Sequence, residues 1–435
     1  MNSYANEYKR KLTTPEKAVG TIKNGDTILH SLSVAEPPAL LGAIADRARQ
    51  GDLKDIKVFT MNPTKYAANS VLAPDVSDCI QTYTWFVGQS DRSLVKVGLS
   101  YYVPNYFHQI PRIIRDFMQV DVAVADVSPM DKAGYFSFGT ANDITSTAAR
   151  HCKHLIVEVN QHMPRVFGDS MIHISEVDKI VENHVPLQQV KPAEPQPEDE
   201  IIGQAIAEMV PDGATIQLGI GGIPNAVAKY LVNHKDLGIH TELFCEGLVD
   251  LIETGVVTGE KKTLHQRKSV FTLAFGTQKM YEFMNDNPGI ESYPVSHMND
   301  PAVIAQNDNL ISINSIIEVD LLGQCNAEYL GGSQYSGTGG QLDYVRGAFN
   351  SKGGKSFLAF YSTAKKGEAS RIVPRFKPGT VVTTPRMDTH YLATEYGIVN
   401  LKGKSSRERA LDIISLAHPK FRDSLLIEAE NMHLV

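Results

Sequence analysis

A chain of 435 residues is too long for one ordinary core, and two α/β domains of about 200 residues each is what that length favours. With 42% hydrophobic and 21% charged residues, disordered, collagenous and coiled-coil classes are excluded. A net charge of −7 leaves no basic footprint for nucleic acid, and no apolar run approaches the roughly 18–20 residues that span a bilayer. Cys79, Cys152, Cys245 and Cys325 are scattered without paired spacing, as in a reduced intracellular enzyme. The first residues lack the charged-then-apolar layout of a signal peptide, so the cytoplasm is the expected location.

Along the chain, Asn24-Gly25-Asp26-Thr27-Ile28 reads as a turn entering a strand, followed by a small-residue loop and a helix over Pro38–Arg49. Strands are expected at Lys57–Thr60, Val120–Val127 and His154–Val159. Pro186 to Glu200 then carries four prolines and several charges in fifteen residues, a composition that cannot hold a regular element inside a core. It divides the chain into an N-terminal domain (1–185), a linker (186–200) and a C-terminal domain (201–435). The second half opens with Asp212-Gly213-Ala214-Thr215-Ile216, a glycine loop and a helix led by Pro224, echoing the turn, strand, loop and helix at 24–39. That order is common enough to arise by chance, and it is also what a duplicated domain would leave. Further strands are expected at Thr215–Gly219, Ile239–Phe244, Ser269–Phe275, Leu310–Ile316, Ser356–Tyr361 and Thr380–Thr384. Several lack period-two alternation, the mark of strands buried on both faces of a parallel sheet. A capping box of Ser405 and Glu408 starts a helix over Ser406–Ala417. The expected fold class is α/β, with two similarly folded, open, mostly parallel-sheet domains.

Three stretches could carry chemistry. Gln217-Leu218-Gly219-Ile220-Gly221-Gly222-Ile223-Pro224 lies where a buried strand gives way to a helix, the place where open α/β sheets bind ligands. Its backbone could cradle phosphates, stabilise a developing oxyanion, or simply make a tight turn. Pro224 stands where a dinucleotide fingerprint needs its third glycine, which disfavours nicotinamide binding. Next, His240-Thr241-Glu242 places an acid in an apolar strand, where it is costly unless paired or part of a site. Alternation puts Glu242 on the face of His240, and Glu246-Gly247 follows at the strand's exit. Either glutamate could be a salt-bridge partner. Third, Tyr335 to Tyr344 is a polar, glycine-dense loop containing Gly340. Two basic groups, Lys365 with Lys366 and Lys261, Lys262, Arg267 and Lys268, read either as solvated loops or as phosphate contacts. The chain has no GxSxG elbow and no phosphate-loop lysine motif, and its histidines have no metal-ligand spacing, so no metal is expected.

These motifs resemble the acetyl-CoA hydrolase/transferase family of class I CoA-transferases, its 4-hydroxybutyrate and butyryl-CoA:acetate branches above all. The likeness is carried by Gly219 to Pro224, His240-Thr241-Glu242, Ser312 to Asp320, Tyr335 to Asp343, Thr394 to Val399, Met163 to Asp169 and Ile172 to Ser175. It runs nearly end to end. The resemblance implies that Glu242 is the catalytic carboxylate, that Gly219, Ile220, Gly221, Gly222 and Ile223 bind coenzyme A, and that Gly340 offers a backbone N–H near the thioester. It implies CoA as substrate with no permanently bound cofactor, short carboxylates as partners, and a homodimer or dimer of dimers. One departure stands out: the family pattern reads Ser-Asp-Gly after the catalytic strand, whereas this chain has Cys245-Glu246-Gly247. Other class I enzymes keep the nucleophile in a Glu-x-Gly setting, which makes Glu246 the competing assignment.

Overall fold

A computed structural model describes residues 3–192, 194–219 and 221–435. The chain forms two compact units: one built from the chain up to Val190 together with Val270–Met298 and Gln334–Gly337, the other from Lys191–Ser269, Asn299–Ser333 and Thr338–Val435. The division therefore differs from the two continuous domains expected from the proline-rich stretch. Part of that stretch is also helical, since Pro197–Ala207 forms a helix with Pro197 in its first turn and a capping box of Gln196 and Asp199. Proline at the first helical position removes only an N–H that would have no partner there.

The first unit holds a seven-stranded sheet of β1 (Thr27–His30), β2 (Ile56–Thr60), β3 (Ile80–Thr84), β4 (Ser100–Tyr102), β5 (Val122–Val127), β6 (His154–Val159) and β7 (Lys179–Glu182). Their order is β7-β6-β5-β1-β2-β3-β4, and every pairing is parallel. All six residues of β5 are buried. Val122 and Val124 enter one apolar cluster with Leu40, Leu41 and Ile44 of helix α1 (Pro38–Arg49), while Ala123, Ala125 and Val127 enter another with Phe107 and Phe136. Two covered faces explain the missing alternation. Each fully buried Leu or Ile of α1 contributes about 1.5–3 kcal/mol of burial.

The second unit holds β8 (Thr215–Leu218), β9 (Gly238–Ile239), β10 (Leu310–Ser315), β11 (Lys355–Ala359), β12 (Tyr391–Thr394) and β13 (Gly397–Asn400), ordered β9-β8-β10-β11-β12-β13. All pairs are parallel except the closing β12–β13 hairpin. The echo between the halves is real in structure: β1 and β8 each stand where the strand order reverses, and each leads into a helix, α1 and α2 (Gly222–Tyr230). The capping box at Ser405 also forms, with Glu408 N–H donating to Ser405 Oγ at 3.3 Å and Ser405 N–H to Glu408 Oε2 at 2.7 Å.

Three expected strands do not form as single strands. Ser269–Phe275 is interrupted at Thr272 into Ser269–Phe271 and Leu273–Ala274. Thr380–Thr384 makes only an isolated bridge, Thr384 to Cys325. Ile239–Phe244 is broken: β9 ends at Ile239, His240 makes only an isolated bridge, and strand structure resumes at Leu243. Glu242 therefore lies on a bend, and the alternation that put it on the face of His240 does not apply. Among the described residues, no helix is long and apolar enough to cross a membrane.

Candidate active site

The reversal of strand order in the second unit falls between β8 and β10, and their carboxyl ends are tied together by side chains. Gln217 Nε2 donates to Asn314 Oδ1 at 3.3 Å, and Asn314 Nδ2 returns a bond to Gln217 Oε1 at 3.1 Å. Crevices at such reversals are where open α/β sheets take ligands. Gly219 leaves β8 here, its N–H bonded to Ile313 O at 2.9 Å. Gly221 caps α2 at φ 127°, a conformation only glycine adopts readily, and the space where a side chain would project is open. Gly222 is a glycine for another reason: a methyl group there would overlap the carboxylate of Asp199, which accepts from Tyr361 OH and Gln196 N–H, each at 2.7 Å. The Ile223 side chain is buried in the core, so only its backbone faces the loop. Ile220 lies outside the described residues.

Glu242 sits on the bend after β9, half-buried. Asn299 Nδ2 donates to its Oε2 at 2.6 Å, and Asn299 is itself fully buried. A hydrogen bond to a charged acceptor of this kind contributes about 1.5–3 kcal/mol. Gly340 closes the other side as N-cap of helix α3 (Gln341–Asn350). A methyl group on Gly340 would overlap both Glu242 Oε2 and Asn299 Nδ2, so this glycine is required by close approach and not by its ordinary φ of −94°. The start of α3 carries the positive end of a helix dipole beside the carboxylate. Gln341 fastens that start, its Nε2 donating to Ser315 O at 2.9 Å and its Oε1 accepting from Thr384 Oγ1 at 3.1 Å. Beneath, Tyr344 stacks edge-on against His240 and is pushed well above its usual range by burial and by the neighbouring Glu242 charge.

Glu246, the competing acid, occupies the first position of helix Glu246–Glu253. There an acidic side chain complements the helix dipole without any further role. It opens onto a groove of about 380 Å³ lined by Pro192, Pro195, Asn225 and Lys229. Cys245, just before it, is pushed up to about 11 by burial and stays a thiol. Lys365 and Lys366 are exposed at a hairpin tip. Lys262, placed by sequence in a basic surface cluster, is instead only 4% exposed.

The structure thus brings together Glu242 and Gly340, 98 positions apart in the chain. It adds Asn299, which carries no local signal: Met298-Asn299-Asp300 belongs to no motif, and only the fold carries it to Glu242. A carboxylate needs no base to become a nucleophile at neutral pH, and amides at a helix start can receive the oxyanion formed when it attacks a carbonyl. Fold and site together define an α/β enzyme equipped for acyl chemistry.

Models of the acetyl-CoA hydrolase/transferase N-terminal and C-terminal domains match residues 1–191 and 276–429. The chain belongs to the acetyl-CoA hydrolase/transferase family. It is 45% identical to a succinyl-CoA:cyclohexane-1-carboxylate CoA transferase of Geobacter metallireducens, over 100% of this chain and 98% of the relative. It is 44% identical to a 4-hydroxybutyrate coenzyme A transferase of Clostridium kluyveri, over 97% of each. Among solved structures, RipA from Yersinia pestis superposes with a TM-score of 0.96 at 51% identity, covering 100% of both chains.

Proposed function

We propose that this enzyme transfers CoA between a short-chain acyl-CoA and a free carboxylate, with Glu242 as covalent nucleophile. The observation that carries the assignment is the carboxylate of Glu242 held by Asn299 at 2.6 Å against a glycine that admits no side chain. A Glu242 oxygen attacks the thioester carbonyl, the C–S bond breaks, and an acyl-glutamyl anhydride and CoA thiolate result. The thiolate then attacks the glutamyl carbonyl, the anhydride C–O bond breaks, and the donor's carboxylate leaves. An incoming carboxylate reverses both steps on the resulting glutamyl-CoA thioester and departs with CoA. The electron pairs return to sulfur or oxygen at each step, with no net proton change.

Each addition places negative charge on a former carbonyl oxygen. The amide of Gly340 and those of Gly221, Gly222 and Ile223 in the glycine loop are the groups assigned to receive it, at about 2.7–4 kcal/mol per well-placed donor, while the Gly219 N–H is already given to Ile313 O at 2.9 Å. Coenzyme A is a substrate on this reading, not a resident cofactor. Full-length likeness to named transferases supports transfer over hydrolysis, and acetyl-CoA with 4-hydroxybutyrate or butyrate is the first pair to assay. Incubation with acyl-CoA and no acceptor, followed by peptide mass spectrometry, tests the assignment. A CoA adduct on the peptide bearing Glu242 is expected; an adduct on Glu246, or CoA release that ignores added acetate, overturns it.

A further inference from the structure

We infer that Lys262 is a positioning residue for Glu242, fixing the point at which the chain leaves the sheet. The proposal rests on the reading of Glu242 as nucleophile. β9 is only two residues long and lies at the sheet's edge; among the described residues it pairs with β8 at Thr215–Gly238 and Ile216–Ile239, and His240 N–H just beyond it donates to Ile216 O at 3.2 Å. Two such pairs are a weak anchor for a segment that must hold a catalytic carboxylate three residues later. Lys262 supplies a further one. Its buried ammonium donates to Ile239 O at 2.7 Å and to Lys268 O at 2.7 Å, so it clamps the last paired residue of β9 to the 259–268 loop.

Gly238 is the companion to this clamp. A methyl group there would overlap Lys262 Cγ, so the lysine stem crosses the strand where a side chain has been omitted. The loop is held at other points as well. Gly259 N–H donates to Leu237 O at 2.9 Å, and Thr263 Oγ1 donates to Gln306 O at 2.6 Å while accepting from Asp308 N–H at 2.9 Å. Between Gln306 and Asp308 stands Asn307, whose Nδ2 lies 3.2 Å from His240 Nδ1. The loop therefore grips β9 on one side and the turn that steadies His240 on the other. Beyond it, Thr241 Oγ1 donates to Leu243 O at 3.0 Å, and Asn299 receives Glu242. Each residue from Ile239 to Glu242 has its own fastening, and Lys262 holds the first. Burying an ammonium is costly, and a buried lysine bonded to backbone carbonyls at this point earns its place by geometry that an apolar side chain could not impose.

The test compares Lys262→Met, which keeps the stem and removes the charge, with Gly238→Ala, which leaves the lysine but displaces it. Both are expected to lower kcat about 10–100-fold with KM for acyl-CoA within about twofold, the range in which a misplacement of about 1 Å is felt. The rate of CoA-adduct formation on Glu242 in a single turnover should fall in parallel. Since both changes act on one contact, the double variant should lose far less than the product of the two single losses. Lys261→Met, in the exposed neighbour, should keep the parent rate. If Lys262→Met lowers the melting temperature but the folded enzyme keeps its kcat and adduct rate, or if the two losses multiply, Lys262 is structural only and the inference falls. Absence of any Glu242 adduct in the unaltered enzyme would instead remove the nucleophile assignment, and this inference with it.

Discussion

The first strand-to-helix turn has been put to different uses in the two units. In the first unit, residues 31–37 between β1 and α1 are all buried, and the helix start is already occupied. The Glu158 carboxylate accepts from Ala39 N–H at 3.2 Å and Leu40 N–H at 2.9 Å, with Asn183 Nδ2 as a third donor at 2.6 Å. In the second unit the corresponding turn is glycine-rich and half-exposed, with open space beside Gly221. One architecture thus provides a helix start sealed by its own acid and another left open to a ligand. The difference is made by a few residues at the carboxyl ends of the strands, while the sheets that carry them keep the same parallel plan.

Exchanging the two acids for amides tests this contrast most strongly. Glu242→Gln should abolish the covalent adduct and lower kcat on the order of 10⁶-fold, the scale on which loss of a nucleophile is felt, while moving the melting temperature little. Glu158→Gln should do the reverse. It removes one acceptor from a buried site with three donors, so stability should fall by about 1–3 kcal/mol and kcat per folded molecule should persist. If Glu158→Gln instead halts exchange at unchanged stability, the sealed turn is not merely structural.

Gly340→Ala comes next in size. The added methyl must displace either Glu242 or Asn299, and a misplacement of about 1 Å at the reacting group is felt as about 10²-fold in kcat. A rate within twofold of the parent, with the adduct still forming, would exclude Gly340 from the site.

The smallest effect concerns pH. In the first unit, burial pushes Glu36 up to about 7, despite hydrogen bonds from Thr64 N–H, Thr64 Oγ1 and Ala67 N–H. Its folded value lies above the ordinary 4.5, so its contribution to stability is complete below 4.5 and is lost as pH rises through 7. The full swing is about 3 kcal/mol. Burial pushes His30 the other way, to about 4, so its contribution is present above 6.5 and is lost as pH falls through 4. Glu36→Gln should therefore shrink the decline in melting temperature between pH 5 and 7, to which Asp91 and Asp143, each pushed up to about 6 by burial, also contribute, and leave the loss on acidification from His30. An unchanged slope would show that Glu36 does not titrate in that window.

The sheets were largely legible in sequence because buried parallel strands write themselves as short apolar runs; β6 was read to the residue at His154–Val159. Thr380–Thr384 misled because β-branched residues alone do not make a strand without a partner to pair with. The break after Ile239 was hidden for the opposite reason. Residues 239–244 alternate enough to look like one strand, and the side chains that hold them at the bend come from distant segments, Lys262, Asn307 and Asn299. Lys262 itself reads as surface because it stands in a basic cluster with Lys261, Arg267 and Lys268, and nothing local shows that its stem passes over Gly238. Glycines were easy to notice and harder to interpret, since Gly221 answers to φ and Gly340 to crowding.

Gly222 carries a consequence for how this protein can change over time. Its lack of a side chain is imposed by Asp199, which Tyr361 and Gln196 hold in place. Positions 199, 222 and 361 are thus bound to drift together: a larger residue at 222 becomes tolerable only once the acid at 199 has shortened and the tyrosine has found another acceptor. An invariant glycine at this position in a set of relatives would record the persistence of that acid, not the demands of a bound ligand. Loss of the glycine in a lineage that had first lost the aspartate would be compatible with an intact enzyme.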